Sequence, residues 1–335
     1  KLLWQDRFEL ARSAGYVTEE KIDNLKLSLE EEEKGSERLT SLPSHYLIEV
    51  TNRCNLRCAL CPTQYDDTDM PRGFISKSLF TALIKQIKKN AMVLSLQNWG
   101  EPLLHPDINT MIEEASKSKI LTVISSNFSL RLKDDMIKRL LSSGLGVLHI
   151  DVDGMDQKVY ETYRRRGNLE TVLENLTRVC QIKKVMGGNC RTLIETAMII
   201  NKYNEHQEED YKKLMKELGV DRIKTSKLQI SPKTSSEWLP DNKDKQYKNY
   251  SEEAEEANSC QRLYTQMTIN WDGRISPCCL TYDAESDFTS KNANLSIIKE
   301  WNNEFFRSAR SAFNKGEDGP KTICHTCMNA LGSKN

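Results

Sequence analysis

"YLIEVTNRCNLRCALCPT", residues 46–63, joins a β-branched run to three cysteines inside eight residues. The run at 46–51 reads as a strand. Cys54, Cys58 and Cys61 follow at C-x3-C-x2-C spacing, on the loop leaving that strand. In parallel α/β folds the functional loops lie at the carboxyl ends of strands. Three thiolates on so short a loop can hold three corners of one iron–sulfur cubane. The fourth iron then lacks a protein ligand and is open to a chelating substrate. A closed four-cysteine site, by contrast, transfers electrons or holds structure. The competing reading is a zinc site completed by a distant fourth ligand. His45, the nearest histidine, favours neither.

A regular alternation continues from that strand. Apolar, β-branched runs at 92–99, 120–126, 147–153, 192–200 and 222–230 read as strands. Between them lie amphipathic helical patterns at 76–90, 108–118, 132–144, 157–186 and 208–219. The fourth pattern is predicted to break near Gly167. Six strands alternating with five helical segments argue a parallel sheet with right-handed crossovers. Six strands are too few for a closed eight-stranded barrel. Periodicity does not choose between an open partial barrel and a flat doubly wound sheet.

The alternation bounds the organisation. Residues 1–43 read as a polar helical extension, and the acidic run "SLEEEEKGSE" at 28–37 as a solvated helix face or linker. Residues 44–235 hold the strands and helices, and the polar stretch 236–259 reads as a linker. Residues 260–335 hold five of the ten cysteines and little apolar content, so they read as a metal-stabilised unit. The 335 residues carry 48 basic and 48 acidic side chains, so no global field gathers nucleic acid or an acidic membrane. No apolar run reaches the roughly 18 residues of a membrane span. With no export signal, the cysteines read as ligands or reduced thiols in a cytoplasmic protein.

The tail has its own pattern. Cys260, Gly273 and Cys278 form C-x12-G-x4-C, and Cys324 and Cys327 form C-x2-C. "TINWDGRISPCC" reads as a hairpin with an Asp-Gly turn, which brings Cys260 near Cys278. With the C-x2-C loop, four thiolates suffice for a closed cubane, with structural zinc as the alternative. Cys279 is left over, as a packed thiol, an alternative ligand or a hydrogen-atom donor. Cys180 and Cys190 read as ordinary thiols, and His325 as a loop residue. Trp301 and Phe305 read as core.

Here the chain resembles the radical S-adenosylmethionine (SAM) superfamily. The three-cysteine loop is followed, at successive strand ends, by "NWGEP" (98–102), similar to a GGE-like motif, "SSN" (125–127), and "DVDG" (151–154), similar to an SxDG segment. The resemblance implies a partial (β/α)6 TIM-like barrel, with Gly100, Glu101, Ser126, Asn127 and Asp153 at the SAM pocket. Departures are Leu60 where relatives carry an aromatic, Trp99 in place of a glycine, and Asp151 in place of a serine. Trp99 is expected to pack on SAM or fill the barrel. One of Arg164, Arg165 and Arg166 is expected to reach the SAM carboxylate or a substrate phosphate, unless the cluster is a solvated helix end. Glu195 is expected to point inside or outside the barrel, with neither favoured. The tail is similar to the SPASM/twitch extension of the same superfamily. Its shortened cysteine string implies one auxiliary 4Fe-4S cluster, as in 2-deoxy-scyllo-inosamine dehydrogenase-type enzymes, and residues 292–310 look like the connecting helix.

The resemblance implies a 4Fe-4S cluster on Cys54, Cys58 and Cys61, a second on Cys260, Cys278, Cys324 and Cys327, and SAM as co-substrate. SAM cleavage would yield a 5′-deoxyadenosyl radical that abstracts hydrogen from a small polar substrate such as a sugar, aminocyclitol or nucleotide sugar. An external one-electron donor such as flavodoxin or ferredoxin would serve it. Oxidation of an alcohol is the leading outcome. The alternatives are epimerisation with Cys279 as hydrogen-atom donor, peptide maturation, and a zinc-stabilised binding protein. No nucleic-acid or membrane partner is expected.

Overall fold

A computed structural model describes residues 2–64, 71–228, 236–246, 259–290, 295–313 and 319–332. Its strands are β1 (His45–Ile48), β2 (Val93–Ser95), β3 (Leu121–Ser126), β4 (Val147–Asp151), β5 (Leu193–Ile200), β6 (Arg222–Lys227), β7 (Gln266–Ile269) and β8 (Ile275–Ser276). They form one sheet of order β6-β5-β4-β3-β2-β1-β7-β8. Successive strands from β1 to β6 pair in parallel. The crossovers carry α3 (Lys77–Ile87), α4 (Ile108–Lys117), α5 (Asp134–Ser142), α6 (Gln157–Tyr163), α7 (Leu169–Met186) and α8 (Glu208–Glu217). The break near Gly167 separates α6 from α7, as its position predicts. Two expected strands are shorter than their apolar runs. β1 stops at Ile48 and β2 at Ser95, because the chain then turns into the two loops that build the site. The end of the run at 222–230 lies outside the described residues.

The hairpin expected in the tail forms, and it extends the same sheet. β7 pairs in parallel with β1, and β8 returns antiparallel to β7. The turn is made by Trp271, Asp272 and Gly273, and Gly273 takes φ +86°, the left-handed conformation that closes such a loop. The tail continues through α9 (Arg262–Thr265), α10 (Ile297–Glu300), α11 (Glu304–Phe313) and α12 (Ile323–Gly332). The single connecting helix expected at 292–310 is thus two helices broken at Trp301, whose indole is fully buried. Cys324 and Cys327 lie on the first two turns of α12 rather than on a loop. His325, expected as a loop residue, caps that turn by accepting the Thr322 backbone N–H at 3.1 Å.

The two faces of the sheet build two cores, because side chains alternate along a strand. One face packs Ile124, Leu148, Ile150 and Met198 beneath the helices, with Leu83, Ile112, Leu140 and Val172. The other packs Val93, Leu121, Val123 and Val147 against Trp4 and Ala11 of α1 (Gln5–Ser13) and Leu25 of α2 (Glu19–Glu33). Val93, Leu121 and Val147 open their strands, so the N-terminal extension closes the amino end of the inner face. The acidic run expected to be solvated is not wholly so. Glu31 is buried and accepts hydrogen bonds from the backbone N–H and hydroxyl groups of Thr40 and Ser41, fastening α2 to the approach to β1.

Beyond that apolar floor the inner face turns polar. Glu195, fully buried, points inward and meets Arg7 of α1 at 2.5 Å and Lys224 at 3.0 Å. His149 lies between two carboxylates, with Nδ1 2.8 Å from Glu195 and Nε2 3.2 Å from Asp151. Burial opposes charge on the imidazole, but the Asp151 and Glu195 carboxylates outweigh it and raise its pKa to about 9. A folded pKa above the unfolded value of about 6.5 stabilises the fold fully below that pH, and the contribution is lost as pH climbs through 9. The denaturation midpoint of the wild-type protein, measured anaerobically, is therefore expected to fall between about pH 6.5 and 9. The upper limit of this loss is about 3 kcal/mol. His149→Gln should remove most of that slope, and an unchanged slope would refute the charged sandwich.

Candidate active site

The three-cysteine loop is held by hydrogen bonds within itself, such as Cys61 N–H to Cys58 O at 3.1 Å, and by main-chain bonds to the end of α6. Arg57 N–H donates to Arg165 O at 3.0 Å and Ala59 N–H to Tyr163 O at 2.9 Å, so the loop lies along the end of α6. Leu60, where an aromatic was expected, sits in a small apolar cluster with Trp238, Ala59 and Tyr163. Trp238 comes from the segment expected to be a polar linker. It is buried, its ring meets Tyr163 edge-on at 5.8 Å, and it packs in one cluster with Ala59 and Leu60 of the loop.

The loop gathers its thiols. Cys54 lies within electrostatic reach of Cys58 and Cys61, and Cys58 of Cys61. Burial pushes the Cys54 thiol up to about 12 and raises that of Cys58. Such thiols become thiolates when a cation supplies the compensating charge. Donors already face the sulfurs: Leu56 N–H at 3.4 Å and Asn127 Nδ2 at 3.8 Å from Cys54, and Arg164 at 3.9 Å from Cys58. His45 is at the opposite end of β1. Its Nε2 lies 3.0 Å from Ser95 Oγ, at the end of the strand away from the triplet, so it does not complete a metal site with it.

The turn after β2 nests against this loop. Glu101 N–H donates to Arg53 O at 2.8 Å. Gly100 passes so close to β1 that a Cβ there would lie 2.0 Å from the Thr51 carbonyl oxygen. The Glu101 carboxylate is buried and occupied, accepting from Asn127 N–H at 2.8 Å, Ser126 Oγ at 2.9 Å and Leu103 N–H at 3.0 Å. Burial, partly offset by these donors, raises its pKa to about 7. Asn127 donates to Asn55 Oδ1 at 2.9 Å and faces Cys54. Gly100, Glu101, Ser126, Asn127 and the cysteine loop thus form one connected unit. Asp153 is separate from it. Fully buried, it accepts from Ile199 N–H at 2.6 Å and Arg164 Nε at 2.5 Å, and so aims Arg164 between Cys58 and Asp151. Of the three consecutive arginines Arg164 turns inward, while Arg165 and Arg166 are exposed.

The tail brings a second group of thiols together. Cys324 is within electrostatic reach of Cys260, Cys278 and Cys327, and burial raises all four thiols. Four sulfurs from a helix start, a hairpin end and a helix turn suit a closed cubane. Among the described residues no group of three or more His, Cys, Asp or Glu side chains is arranged to hold a single metal ion. Cys279 is half-buried beside Cys278. Cys180 and Cys190 are buried away from both groups, as expected of ordinary thiols.

Sequence reading missed His149, Arg7 and Gln97. "VLHIDVD" puts His149 and Asp151 on one face of a strand, and that alternation was the signal available for His149. Arg7 carried none, because its partner lies 188 residues away. Gln97 continues the inward alternation of Val93 and Ser95, and its buried Oε1 has no partner among the described residues.

A family model for the radical SAM superfamily matches residues 48–214, and one for the SPASM iron–sulfur cluster-binding domain matches residues 260–328. The tungsten-containing aldehyde ferredoxin oxidoreductase cofactor-modifying protein of Pyrococcus furiosus is 28% identical over 188 residues, covering 54% of this chain. The chain spans about half the length of that relative, 50% of it. Among solved structures, Streptococcus suis SuiB bound to S-adenosylmethionine superposes with a TM-score of 0.64 at 15% identity, over 86% of this chain and 72% of SuiB. BtrN in complex with AdoMet and 2-DOIA superposes with a TM-score of 0.50 at 15% identity, over 82% of this chain and 89% of BtrN.

The Gly100 contact has a direct consequence. Gly100→Ala forces the turn away from the Thr51 carbonyl, at an expected loss of about 1–3 kcal/mol in unfolding free energy. Gly188→Ala meets no atom within 4 Å and is the control, expected to be near silent. Equal denaturation midpoints for the two variants would mean that the turn has slack.

Proposed function

Because the chain belongs to the radical SAM superfamily and carries a SPASM domain, we propose that it oxidises an alcohol carbon of a small polar substrate by hydrogen-atom abstraction. Cys54, Cys58 and Cys61 would hold a 4Fe-4S cluster with one open iron, and Cys260, Cys278, Cys324 and Cys327 a closed one. When bound, the first cluster and SAM supply a 5′-deoxyadenosyl radical, and the second cluster supplies a one-electron acceptor.

The chain's own residues supply position and charge. The backbone at Gly100 and Glu101 would receive the SAM amino group, and the Glu101 carboxylate keeps Ser126 and Asn127 in register with the cysteine loop. Asp153 acts at one remove, by orienting Arg164. The observation carrying the small-substrate reading is the inner wall. It is closed at its amino end by α1 and lined by Ser125, His149, Asp151 and Gln97, whose buried Oε1 has no partner among the described residues. An external donor of the flavodoxin or ferredoxin class would reduce the first cluster. The second reading is epimerisation, favoured by Cys279, a half-buried thiol next to a proposed ligand that could return a hydrogen atom.

Anaerobically reconstituted protein is expected to hold about eight iron atoms, falling to about four in a Cys54/Cys58/Cys61→Ala variant. Incubated with SAM, a reductant and a panel of polyols, sugars and short peptides, it should consume a polyol or sugar and release a carbonyl product. Solvent deuterium at an unoxidised carbon, abolished by Cys279→Ala, would replace oxidation by epimerisation. Turnover of peptides alone would overturn the small-substrate reading. A variant free of iron would remove the second cluster and with it the oxidation.

A further inference from the structure

Trp99 stands where a glycine is expected, and its side chain reaches the tail. Its indole Nε1–H donates to the carbonyl of Thr281 at 2.8 Å, and its ring meets Tyr282 edge-on with centroids 5.4 Å apart. Thr281 and Tyr282 belong to the loop that begins at Cys278 and contains Cys279. Thr281 N–H and Oγ1 both return to the Cys278 carbonyl, which makes the loop a compact turn. Through its backbone Trp99 donates to Glu49 Oε1 at 3.3 Å, and the same buried carboxylate accepts the backbone N–H of Trp271 in the hairpin turn. The next residue is Gly100, pressed against Thr51, three residues before Cys54. Two links therefore run from the tail to the turn beside the three-cysteine loop, one from the turn after Cys278 and one from the hairpin turn at Trp271, and both meet at Trp99. One uses the Trp99 indole and a main-chain carbonyl, and the other passes through the Glu49 side chain, which is buried.

We infer that Trp99 is a positioning residue that ties the loop after Cys278 to the turn at Gly100 and Glu101, so that SAM binding and the redox state of the second cluster are thermodynamically linked. This rests on the two-cluster reading above. The linkage is reciprocal. If SAM binds more tightly with the second cluster in one redox state, SAM must shift that cluster's potential by the same free energy. The same tie holds the turn that carries the half-buried Cys279 and the exposed Leu280.

The test is a redox titration of the second cluster in reconstituted full-length protein, followed by electron paramagnetic resonance with and without SAM. At the low end of ordinary coupling, about fivefold, SAM should move the potential of the wild-type second cluster by about 40 mV. Trp99→Phe keeps the ring contact and removes the N–H donor, and should reduce the shift. Trp99→Ala removes both and should abolish it. Iron and sulfide content reports whether each variant has assembled. Hydrogen exchange at residues 278–282 should quicken in the order wild type, Phe, Ala, and this readout holds even where Trp99→Ala loads poorly. Two clusters in the wild type with no SAM-dependent shift, or a shift that survives in both variants, would overturn the inference and leave the radical reading intact. Absence of one cluster from the wild type would overturn both.

Discussion

The carbonyl oxygen of Thr51 lies where a side chain on residue 100 would have to begin. That approach fixes the distance between β1 and the turn after β2, and both proposed ligand systems depend on it. On one side, Cys54 follows Thr51 by three residues, and Glu101 N–H reaches back to Arg53. On the other, Glu101 collects Asn127, Ser126 and Leu103 around one carboxylate. A buried carboxylate without donors would be expensive. Here its three donors come from two different strand ends, so satisfying Glu101 requires β2 and β3 to stop at matching heights. The polar site and the register of the sheet are therefore one constraint.

The inner face has a second constraint. Buried charges persist when each has a hydrogen-bonded partner, and removing one partner strands the other. Arg7, Glu195, His149, Asp151 and Arg164 form an alternating series from the closed floor to the cysteine loop. Each carboxylate lies between cations, which holds Asp151 ionised near a pKa of about 2. Burial works against it, while Arg164 and His149 favour the charge. Arg7, Lys224, His149 and Arg164 on this face are each already paired, which would suit the neutral, hydroxylated substrate proposed above better than an anionic one. This bears on substrate choice without any residue having to move.

Much of this was legible in the sequence, for identifiable reasons. Six apolar runs with helical spacing between them dictate a parallel sheet, and the cysteine spacing marks the strand end where chemistry gathers. The curvature is not in the periodicity; it entered through the resemblance carried by "NWGEP", "SSN" and "DVDG". What failed to show was long-range. Glu31, inside an acidic run, gave no sign of receiving Thr40 and Ser41, and Arg7 none of meeting Glu195. The continuation of the sheet through β7 was hidden as well, because "QMTI" is too short to announce its partner, and only the pairing of His45 with Gln266 and Ile48 with Ile269 reveals it.

That pairing changes how the tail must be understood. A segment with thin apolar content was expected to need metal for its shape, yet part of it is fixed by the protein alone. Arg310 is fully buried, stacks over the Trp301 ring at 4.6 Å, and donates to the carbonyls of Leu263, Glu37 and Trp301. Burial lowers its pKa to about 9, still charged at neutral pH, and the carbonyls and aromatic faces replace the water it has lost. One side chain thus pins α11 to α9 and to the N-terminal extension. Cys260 sits just before α9 and Cys278 just after β8, so these two thiols are positioned by the sheet and by Arg310. Cys324 and Cys327 ride on α12, which is joined to α11 through Ser308 and Pro320. Metal binding would then add a short helix to a frame that already stands, and leave β7 and β8 as they are.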